Sequence, residues 1–352
     1  MKVDVLTSGY VSMDHIIKIA TPAKVGFTSL VTNKSNSKIF YGGCSVNIAY
    51  ALCRLGMKAM PVLRVGGDYE SNGFKKFLEE GNVPQDGITQ IAEEATSVCY
   101  LLQDNNNDHI TIFYPGAMDG RYAQKMKDSL FETAKLGVIT VASRPDNEEF
   151  FAKCKKHHVP VVFGMKDDFD AFPEPFLKQL LTESKIIFTN EVECEIIEKL
   201  FGLNTITELF KIGKADIIVT TLGKDGSICY VREDGKIRKE EIGICQVEQV
   251  VDATGSGDAY MAGFVYGYLH GYSPADCCRL GSVLSYFVLQ AEGCAVQMRQ
   301  QNRNYYRNLK HYAERGNADE YIIYGSKRRN GCEICTFFGR SMESRSCKKV
   351  FG

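Results

Sequence analysis

The chain has 352 residues, with 42 Lys and Arg against 43 Asp and Glu, so its formal net charge is -1 at pH 7. A composition of 44% hydrophobic and 24% charged residues is ordinary for a soluble globular protein that buries a sizeable core. The balanced charge provides no field that would attract a polyanion. We therefore expect no nucleic-acid partner.

A membrane partner is not expected either. A spanning helix needs about 20 apolar residues, whereas the best apolar run, Val283 to Ala291, is short and contains Ser285 and Gln290. The first residues lack the apolar core of a signal peptide. The 13 cysteines are odd in number and lie mostly in apolar stretches, which is typical of buried thiols in a reducing compartment. We expect a cytoplasmic protein.

Short Val- and Ile-rich runs alternate with helix-length amphipathic segments over most of the chain. The runs are apolar nearly throughout, as parallel strands covered on both faces are. The alternation predicts an α/β fold with a doubly wound, mainly parallel sheet flanked by helices. The predicted strands are Val3–Thr7, Pro61–Val65, Gly137–Ala142, Val159–Phe163, Lys185–Thr189 and Asp216–Thr221. The predicted helices are Ser45–Leu55, Ser71–Glu80, Arg121–Ala134, Asp146–His157, Glu191–Leu200 and Thr205–Lys211.

A β-hairpin interrupts this alternation. Its strands, Val98–Gln103 and His109–Tyr114, flank a run of Asp and Asn, residues that tolerate the left-handed backbone of a turn. Together with strand-like residues at Ile16–Ile19 and Lys38–Tyr41 it predicts a small antiparallel β lid, built from about 14–41 and 96–115. The lid could close over a pocket or pair with the lid of a second copy in a homodimer, since an exposed sheet edge invites pairing.

The end of the chain differs from the rest. Residues 321–352 are basic, contain few aliphatic side chains and show no helical period. We expect one domain over 1–320 and a loosely attached tail after it. Cys332 and Cys335 form a C-x-x-C pair, but no second pair has zinc-site spacing, which favours thiols without a metal or redox role.

The strongest local motif is the stretch from Asp252 to Asp258, which precedes an apolar segment of helical length. Gly255, Ser256 and Gly257 would then lie at a helix N-terminus, where unpaired N–H groups and the helix dipole favour an anion such as phosphate. An acid directly after an anion site suits a base that takes a proton from an attacking hydroxyl. The alternative is that Asp258 is a carboxylate that only stabilises the dipole.

A second motif precedes another predicted helix. Gly42 and Gly43 allow close backbone approach, and Asn47 projects an amide from the first helical turn. An amide in this place suits recognition of vicinal hydroxyls. The alternative is a tight turn followed by a solvent-facing Asn.

Taken together, the two motifs closely resemble the PfkB (ribokinase-like) family of small-molecule kinases, over roughly residues 1–300. Intermediate matches occur in the expected order at Val65–Asp68, Asn190–Glu193, Thr220–Gly223 and Asp225–Gly226. Within the family the chain is most similar to the bacterial adenosine kinase branch, which carries a stretch like Phe113–Met118.

The resemblance implies a role for each matched position. Asp258 would be the catalytic base, and the amides of residues 255–257 would form the anion hole. The acceptor would be bound by Asp14, Gly42, Gly43 and Asn47, and the nucleotide by Asn190, Thr221, Gly223 and Gly226. Glu193 would bind Mg²⁺. A monovalent cation such as K⁺ would be bound by Asp252 with Gly293 and Cys294. Asp14 could instead be a surface acid, and Glu193 one of several first-turn acids that suit the dipole.

The resemblance also implies the activity, an ATP- and Mg²⁺-dependent transfer of the γ-phosphoryl group to a primary hydroxyl. Adenosine is the first candidate acceptor. Two departures weaken the match to adenosine: residues 164–168 replace an acid followed by paired Gln, and Cys99 replaces an aromatic. Lys166, Asp167 or Asp168 could meet a more polar sugar, so a ribokinase- or fructokinase-type activity stays open, as does a non-catalytic nucleoside- or sugar-binding protein.

Overall fold

The structure is a computed structural model that describes residues 2–290, except 106–108, 167, 246 and 248–249, together with a strand pair at Ile322–Ile323 and Phe337–Phe338. Apart from that pair, the predicted tail at 321–352 lies outside the described residues, as do Gly293, Cys294, Cys332 and Cys335. The division into a domain and a tail therefore stays a prediction.

The described residues form a nine-stranded main sheet and a four-stranded lid. The strands in chain order are β1 (Val5–Ser8), β2 (Ser12–Lys18), β3 (Phe40–Gly42), β4 (Ala59–Gly66), β5 (Ile88–Ile91), β6 (Val98–Gln103), β7 (His109–Tyr114), β8 (Leu136–Ile139), β9 (Val161–Gly164), β10 (Ile186–Asn190), β11 (Ile217–Thr221), β12 (Ser227–Glu233) and β13 (Lys236–Ile242). The order in the main sheet is β13-β12-β11-β10-β9-β8-β1-β4-β5. It is parallel from β11 to β5, and β12 and β13 add antiparallel strands. The predicted doubly wound sheet is confirmed.

Helices cover both faces of the main sheet. They are α1 (Cys44–Arg54), α2 (Phe74–Glu80), α3 (Arg144–Lys156), α4 (Glu174–Glu183), α5 (Glu191–Phe201), α6 (Leu209–Ile212), α7 (Ser256–Leu269) and α8 (Pro274–Val288). Side chains of α1, α2, α7 and α8 form one hydrophobic core with the sheet, and those of α3 to α6 form the other. Helix α7 is buried from Asp258 to Gly267, which fits an apolar helix enclosed by α1, α8 and the sheet. Among the described residues no helix is both long and apolar enough to cross a membrane.

The chain reverses its direction of winding at β1. This first strand lies between β4 and β8. Helix α1, on the way from β1 to β4, packs on one face, whereas α3, after β8, packs on the other. In open α/β sheets such a reversal leaves a crevice at the carboxyl ends of the strands, where ligands bind. The fold therefore places a crevice beyond Ser8 and Ile139.

The lid has the strand order β3-β2-β6-β7. Its outer pairings are antiparallel, as expected, while β2 and β6 run parallel because a long connection joins them. The register aligns Asp14 with Cys99, and Cys99 with Phe113. The Asp68 carboxylate accepts hydrogen bonds from the Thr96 amide at 2.8 Å and hydroxyl at 2.7 Å, which fixes the chain where it enters β6.

One predicted helix is wrong. Residues 121–134 form short 3-10 turns at Gly120–Tyr122 and Asp128–Leu130, joined by irregular chain. Phe131 is buried in this segment, while Met126 and Leu130 are only partly buried. A helix gains its stability in a protein by burying a continuous apolar face, and one deep anchor is insufficient.

Candidate active site

The N-termini of α1 and α7 meet at the crevice. Asn47 in α1 donates from Nδ2 to Oδ2 of Asp258 in α7, at 2.8 Å, and both side chains are about 95% buried, being 3% and 5% exposed. Gly43 precedes α1 with φ +96°, and a Cβ at this position would collide with the Tyr10 carbonyl oxygen. Glycine is therefore required for α1 to begin directly beneath the end of β1.

The glycine-containing loop leads into α7. The Asp252 carboxylate accepts hydrogen bonds from the Thr254 amide and hydroxyl, at 2.9 and 2.7 Å. Gly255 then takes a left-handed conformation, with φ +78°, and α7 begins at Ser256. A Cβ on Gly257 would meet nothing within 4 Å. The first turn of α7 thus presents an open backbone surface beside the Asp258 carboxylate, as an anion site requires.

Cys44, the first residue of α1, lies against two carboxylates. Its thiol lies close to the Asp258 carboxylate, and the charge of Asp14 acts on it as well. Burial raises the pKa of Cys44 to about 12, and the negative charge of Asp258 adds to the effect. The thiol therefore remains protonated at neutral pH and carries no charge.

Lys166 supplies positive charge at the same place. Its pKa is raised by Cys44 and then by Asp258, with a further contribution from Glu193. Lys166 is exposed to solvent. Because Cys44 is protonated at neutral pH, the carboxylates are the charges that act on the Lys166 ammonium group there.

The lid forms the opposite wall of the crevice. Asp14 on β2 is buried and accepts a hydrogen bond from the Ser12 hydroxyl, and Ser12 lies opposite Gly42 in the lid register. The rings of Tyr10 and Phe113 meet edge to face, with centroids 4.8 Å apart. Burial, followed by the charge of Asp168, raises the pKa of Tyr10 to about 12. This wall therefore combines an acid with an aromatic pair.

The residues expected at the nucleotide lie at the ends of β10 and β11. Asn190 and Glu193 cap α5 reciprocally: Oδ1 of Asn190 accepts from the Glu193 amide, and Oε2 of Glu193 accepts from the Asn190 amide, each at 2.8 Å. Thr221 ends β11, and Gly223 and Gly226 form the turn into β12 with φ +56° and +94°. A Cβ on Gly226 would collide with the Ile242 carbonyl oxygen, so this glycine has a role in the turn itself.

The two expected cation positions offer few side-chain ligands. Within the described residues, no three His, Cys, Asp or Glu side chains come together in a way that could hold a metal ion. Glu193 is 5% exposed, and one of its oxygens is bonded to its own helix N-terminus. Mg²⁺ usually keeps several waters and is held by one or two carboxylates together with substrate phosphates, a requirement that Glu193 fits. Asp252 is bonded to Thr254, and its expected companions lie outside the described residues.

The structure brings several predicted residues together and adds two that sequence reasoning missed. Asp14, Gly43, Asn47, the 255–257 loop and Asp258 border one crevice. Cys44 and Tyr10 were not singled out from the sequence. Their signal was their position, because Cys44 follows the predicted Gly-Gly turn and Tyr10 follows the first predicted strand.

Known proteins are similar to this chain over most of its length. Residues 4–301 match the model of the pfkB family carbohydrate kinases. A nucleoside kinase of Methanocaldococcus jannaschii is 25% identical over 82% of this chain and 91% of its own. An ATP-dependent 6-phosphofructokinase of Thermoanaerobacterium thermosaccharolyticum is 28% identical over 74% of this chain and 82% of its own.

Solved structures confirm the fold. The Burkholderia thailandensis nucleoside kinase in complex with inosine superimposes with a TM-score of 0.75 at 21% identity, covering 88% of this chain and 97% of that one. The family model spans far more than half of the sequence, and the two motifs that define the crevice lie within it. The chain therefore belongs to the pfkB family of carbohydrate kinases and is a phosphotransferase that uses ATP.

Proposed function

We propose that this protein transfers the γ-phosphoryl group of ATP to the primary hydroxyl of a nucleoside, with adenosine as the first candidate. The observation that carries the proposal is the placement of a buried carboxylate, Asp258, directly after the open backbone of residues 255–257. A base and an anion site are thereby adjacent, as transfer to an alcohol requires.

Different residues of the crevice would activate the hydroxyl, stabilise the transferring group and bind the acceptor. Asp258 accepts the proton of the attacking hydroxyl, and the amides of Gly255, Ser256 and Gly257 stabilise the transferring group. Asn47 holds one Asp258 oxygen through Nδ2, while its own Oδ1 is buried without a hydrogen-bond partner. A buried acceptor of this kind is costly unless a ligand satisfies it. We assign Oδ1 of Asn47, with Asp14 on the lid, to the ribose hydroxyls.

The cations have fewer protein donors. Glu193, positioned by Asn190, would hold a hydrated Mg²⁺ whose remaining ligands are phosphate oxygens. When bound, the ion neutralises phosphate charge. Asp252, with the region of Gly293 and Cys294, stays our proposal for a K⁺ site, and Thr221, Gly223 and Gly226 for the nucleotide.

The aromatic pair on the lid wall supports a nucleoside acceptor. A base offers a flat π face that stacks on aromatic rings, and Tyr10 and Phe113 provide such rings near Asp14. Phe113 lies directly opposite Cys99 in the lid. It therefore supplies an aromatic ring on the strand next to Cys99, the position at which the expected aromatic residue is missing. The nucleoside kinase of Methanocaldococcus jannaschii and the inosine complex of the Burkholderia enzyme point the same way.

A sugar kinase is the second candidate. Lys166 and Asp168 bring polar groups to the crevice that a base does not need, and one relative is a 6-phosphofructokinase. A nucleoside and sugar panel separates the two acceptor classes.

The test is ADP release by the purified full chain with adenosine, other nucleosides, ribose, fructose and fructose 6-phosphate. We expect acceptor-dependent turnover that Asp258→Asn lowers by about 100- to 10,000-fold, the range for general base catalysis. Asp276→Asn is the matched control, because Asp276 is also an acid in a first helical turn, that of α8. Acceptor binding without turnover in the wild type would make the protein a sensor, and equal loss in both variants would reduce Asp258 to a dipole-stabilising acid.

We also propose a homodimer through the lid and a cytoplasmic location. The outer face of the lid exposes Tyr100, Ile110 and Ile112 beside the unpaired edge of β7, a surface suited to a second copy. Each cysteine in the described residues is a free thiol, as is usual in a reducing compartment. Light scattering that gives a monomer at micromolar concentration would contradict the dimer.

A further inference from the structure

The position of Lys166 follows from the strand before it. Strand β9 ends at Gly164 between β8 and β10, so Lys166 lies at the carboxyl edge of the sheet. A Cβ on Gly164 would collide with the Met261 methyl group of α7, one turn after Asp258. This close approach places the end of β9 beside the start of α7.

The two residues that follow Gly164 in this segment differ in burial. The Met165 amide donates to the Phe188 carbonyl oxygen at 3.2 Å, and the Met165 side chain is buried. Lys166, the next residue, is exposed. Farther along, Asp168 accepts hydrogen bonds from the Asp170 and Ala171 amides at 3.1 and 2.9 Å, which stabilises the loop. Lys166 therefore faces solvent at the carboxyl edge of the sheet.

The charges around Lys166 indicate its role in the reaction. Asp258, at the acceptor end of the crevice, and Glu193, at the nucleotide end, both act on it. A phosphoryl group that passes between these carboxylates would be repelled by both. A cation that faces both acids offsets this repulsion along the path of transfer.

On the basis of the function proposed above, we infer that Lys166 is a catalytic residue that binds the transferring phosphoryl group. In the step, a bond forms between the acceptor oxygen and the γ-phosphorus, and the bond from that phosphorus to the bridging oxygen of ADP breaks. The hydroxyl proton passes to Asp258. Lys166 remains protonated throughout and donates hydrogen bonds to the phosphoryl oxygens, where charge-assisted bonds are strong.

Two other roles would leave different signatures. If Lys166 binds an anionic group on the acceptor, its removal raises the KM of that acceptor and leaves kcat unchanged. If it only keeps Asp258 in place, its removal leaves nucleotide affinity unchanged. Of the three roles, only contact with the γ-phosphoryl group makes the loss of affinity in the variant larger for a nucleoside triphosphate than for a diphosphate.

The experiment compares Lys166→Met and Lys166→Arg with the wild type, using Lys178→Met as the control on the exposed surface of α4. We expect Lys166→Met to lower kcat by about 100-fold, as loss of one transition-state donor does, with the acceptor KM within about 2-fold and partial recovery in Lys166→Arg. By calorimetry with Mg²⁺ present, the affinity for the non-hydrolysable analogue AMP-PNP should fall by about 10-fold, while the affinity for ADP stays constant.

The calorimetric ratio decides the inference without any turnover. An unchanged ratio of AMP-PNP to ADP affinity in Lys166→Met overturns it, as does an effect confined to the acceptor KM. If the wild type turns over no acceptor, the proposed function fails, and the affinity ratio still reports whether Lys166 contacts the γ-phosphoryl group.

Discussion

Asn47 and Asp258 are separated by 211 positions in the sequence, yet their side chains share a hydrogen bond of 2.8 Å between two helix N-termini. The Cys44 thiol, also on α1, lies close to the same carboxylate. A donor from α1 thus orients a carboxylate carried by α7. The proposed base depends on the packing of these two helices against each other, and not on the glycine loop alone.

Replacing Asn47 with Leu should reduce both catalysis and stability. The hydrogen bond from the Asn47 amide to the charged Asp258 carboxylate is worth about 1.5–3 kcal/mol, so kcat/KM should fall by about 10- to 100-fold. The free energy of unfolding should fall as well, because the buried carboxylate loses a donor, and removal of the buried, unpaired Oδ1 offsets only part of that loss. Steady-state kinetics and urea denaturation check both, with exposed Asn204→Leu as the control. Unchanged kcat/KM would contradict the assigned role.

Replacing Gly257 with Ala should lower activity without lowering stability. The added methyl group meets nothing within 4 Å, and Ala favours a helix by about 1 kcal/mol over Gly, so Tm should stay level or rise. Turnover should nevertheless fall by about 10-fold or more if phosphoryl oxygens approach this backbone closely.

The control for Gly257 lies in the same helix. A Cβ on Gly263 would lie 2.5 Å from the Leu280 carbonyl oxygen, so Gly263→Ala should lower Tm and leave kcat per folded molecule intact. Wild-type turnover in Gly257→Ala would contradict the anion site.

Buried thiols should make the protein less stable at alkaline pH. Burial raises the pKa of Cys53 to about 11 and of Cys44 and Cys99 to about 12, whereas an unfolded thiol ionises near about 8.5. Between these values the unfolded chain binds fewer protons, so the free energy of unfolding falls as pH rises.

Urea denaturation between about pH 8 and 10.5 measures this slope. Cys53→Val should reduce it by up to about 1.4 kcal/mol per pH unit, because one buried thiol no longer ionises on unfolding. A slope identical to that of the wild type would show that Cys53 ionises equally in both states.

The central strands were predictable because a strand covered on both faces must be apolar throughout. Val161–Gly164 and Ile217–Thr221 lie within two residues of their predicted bounds. The hairpin β12–β13 was missed, although Asp234 and Gly235, with φ +50° and +75°, form a recognisable turn. Its outer strand, β13, is largely polar, so its sequence lacks the alternation of apolar and polar residues that predicts a strand. Helix α8 was missed as well, although Ser273 and Pro274 mark its start.

The site was predictable only where glycines or acids form a motif. Gly43, Asn47 and Asp258 stand in such motifs, and the structure brings them together. Lys166 and Cys44 do not, because their proximity to Asp258 results from the packing of β9 and α1 against α7. Spacing along one segment carries no information about contacts between segments distant in sequence.

The central position of β1 has a consequence for synthesis. Strand β1 cannot complete its pairing until β8, which ends at Ile139, has emerged from the ribosome. The apolar side of α1 then stays uncovered until α7, which ends at Leu269, has been synthesised. A nascent chain of this protein therefore leaves its central helix uncovered until α7 has been made, and a product truncated before Leu269 remains a target for chaperones and proteases.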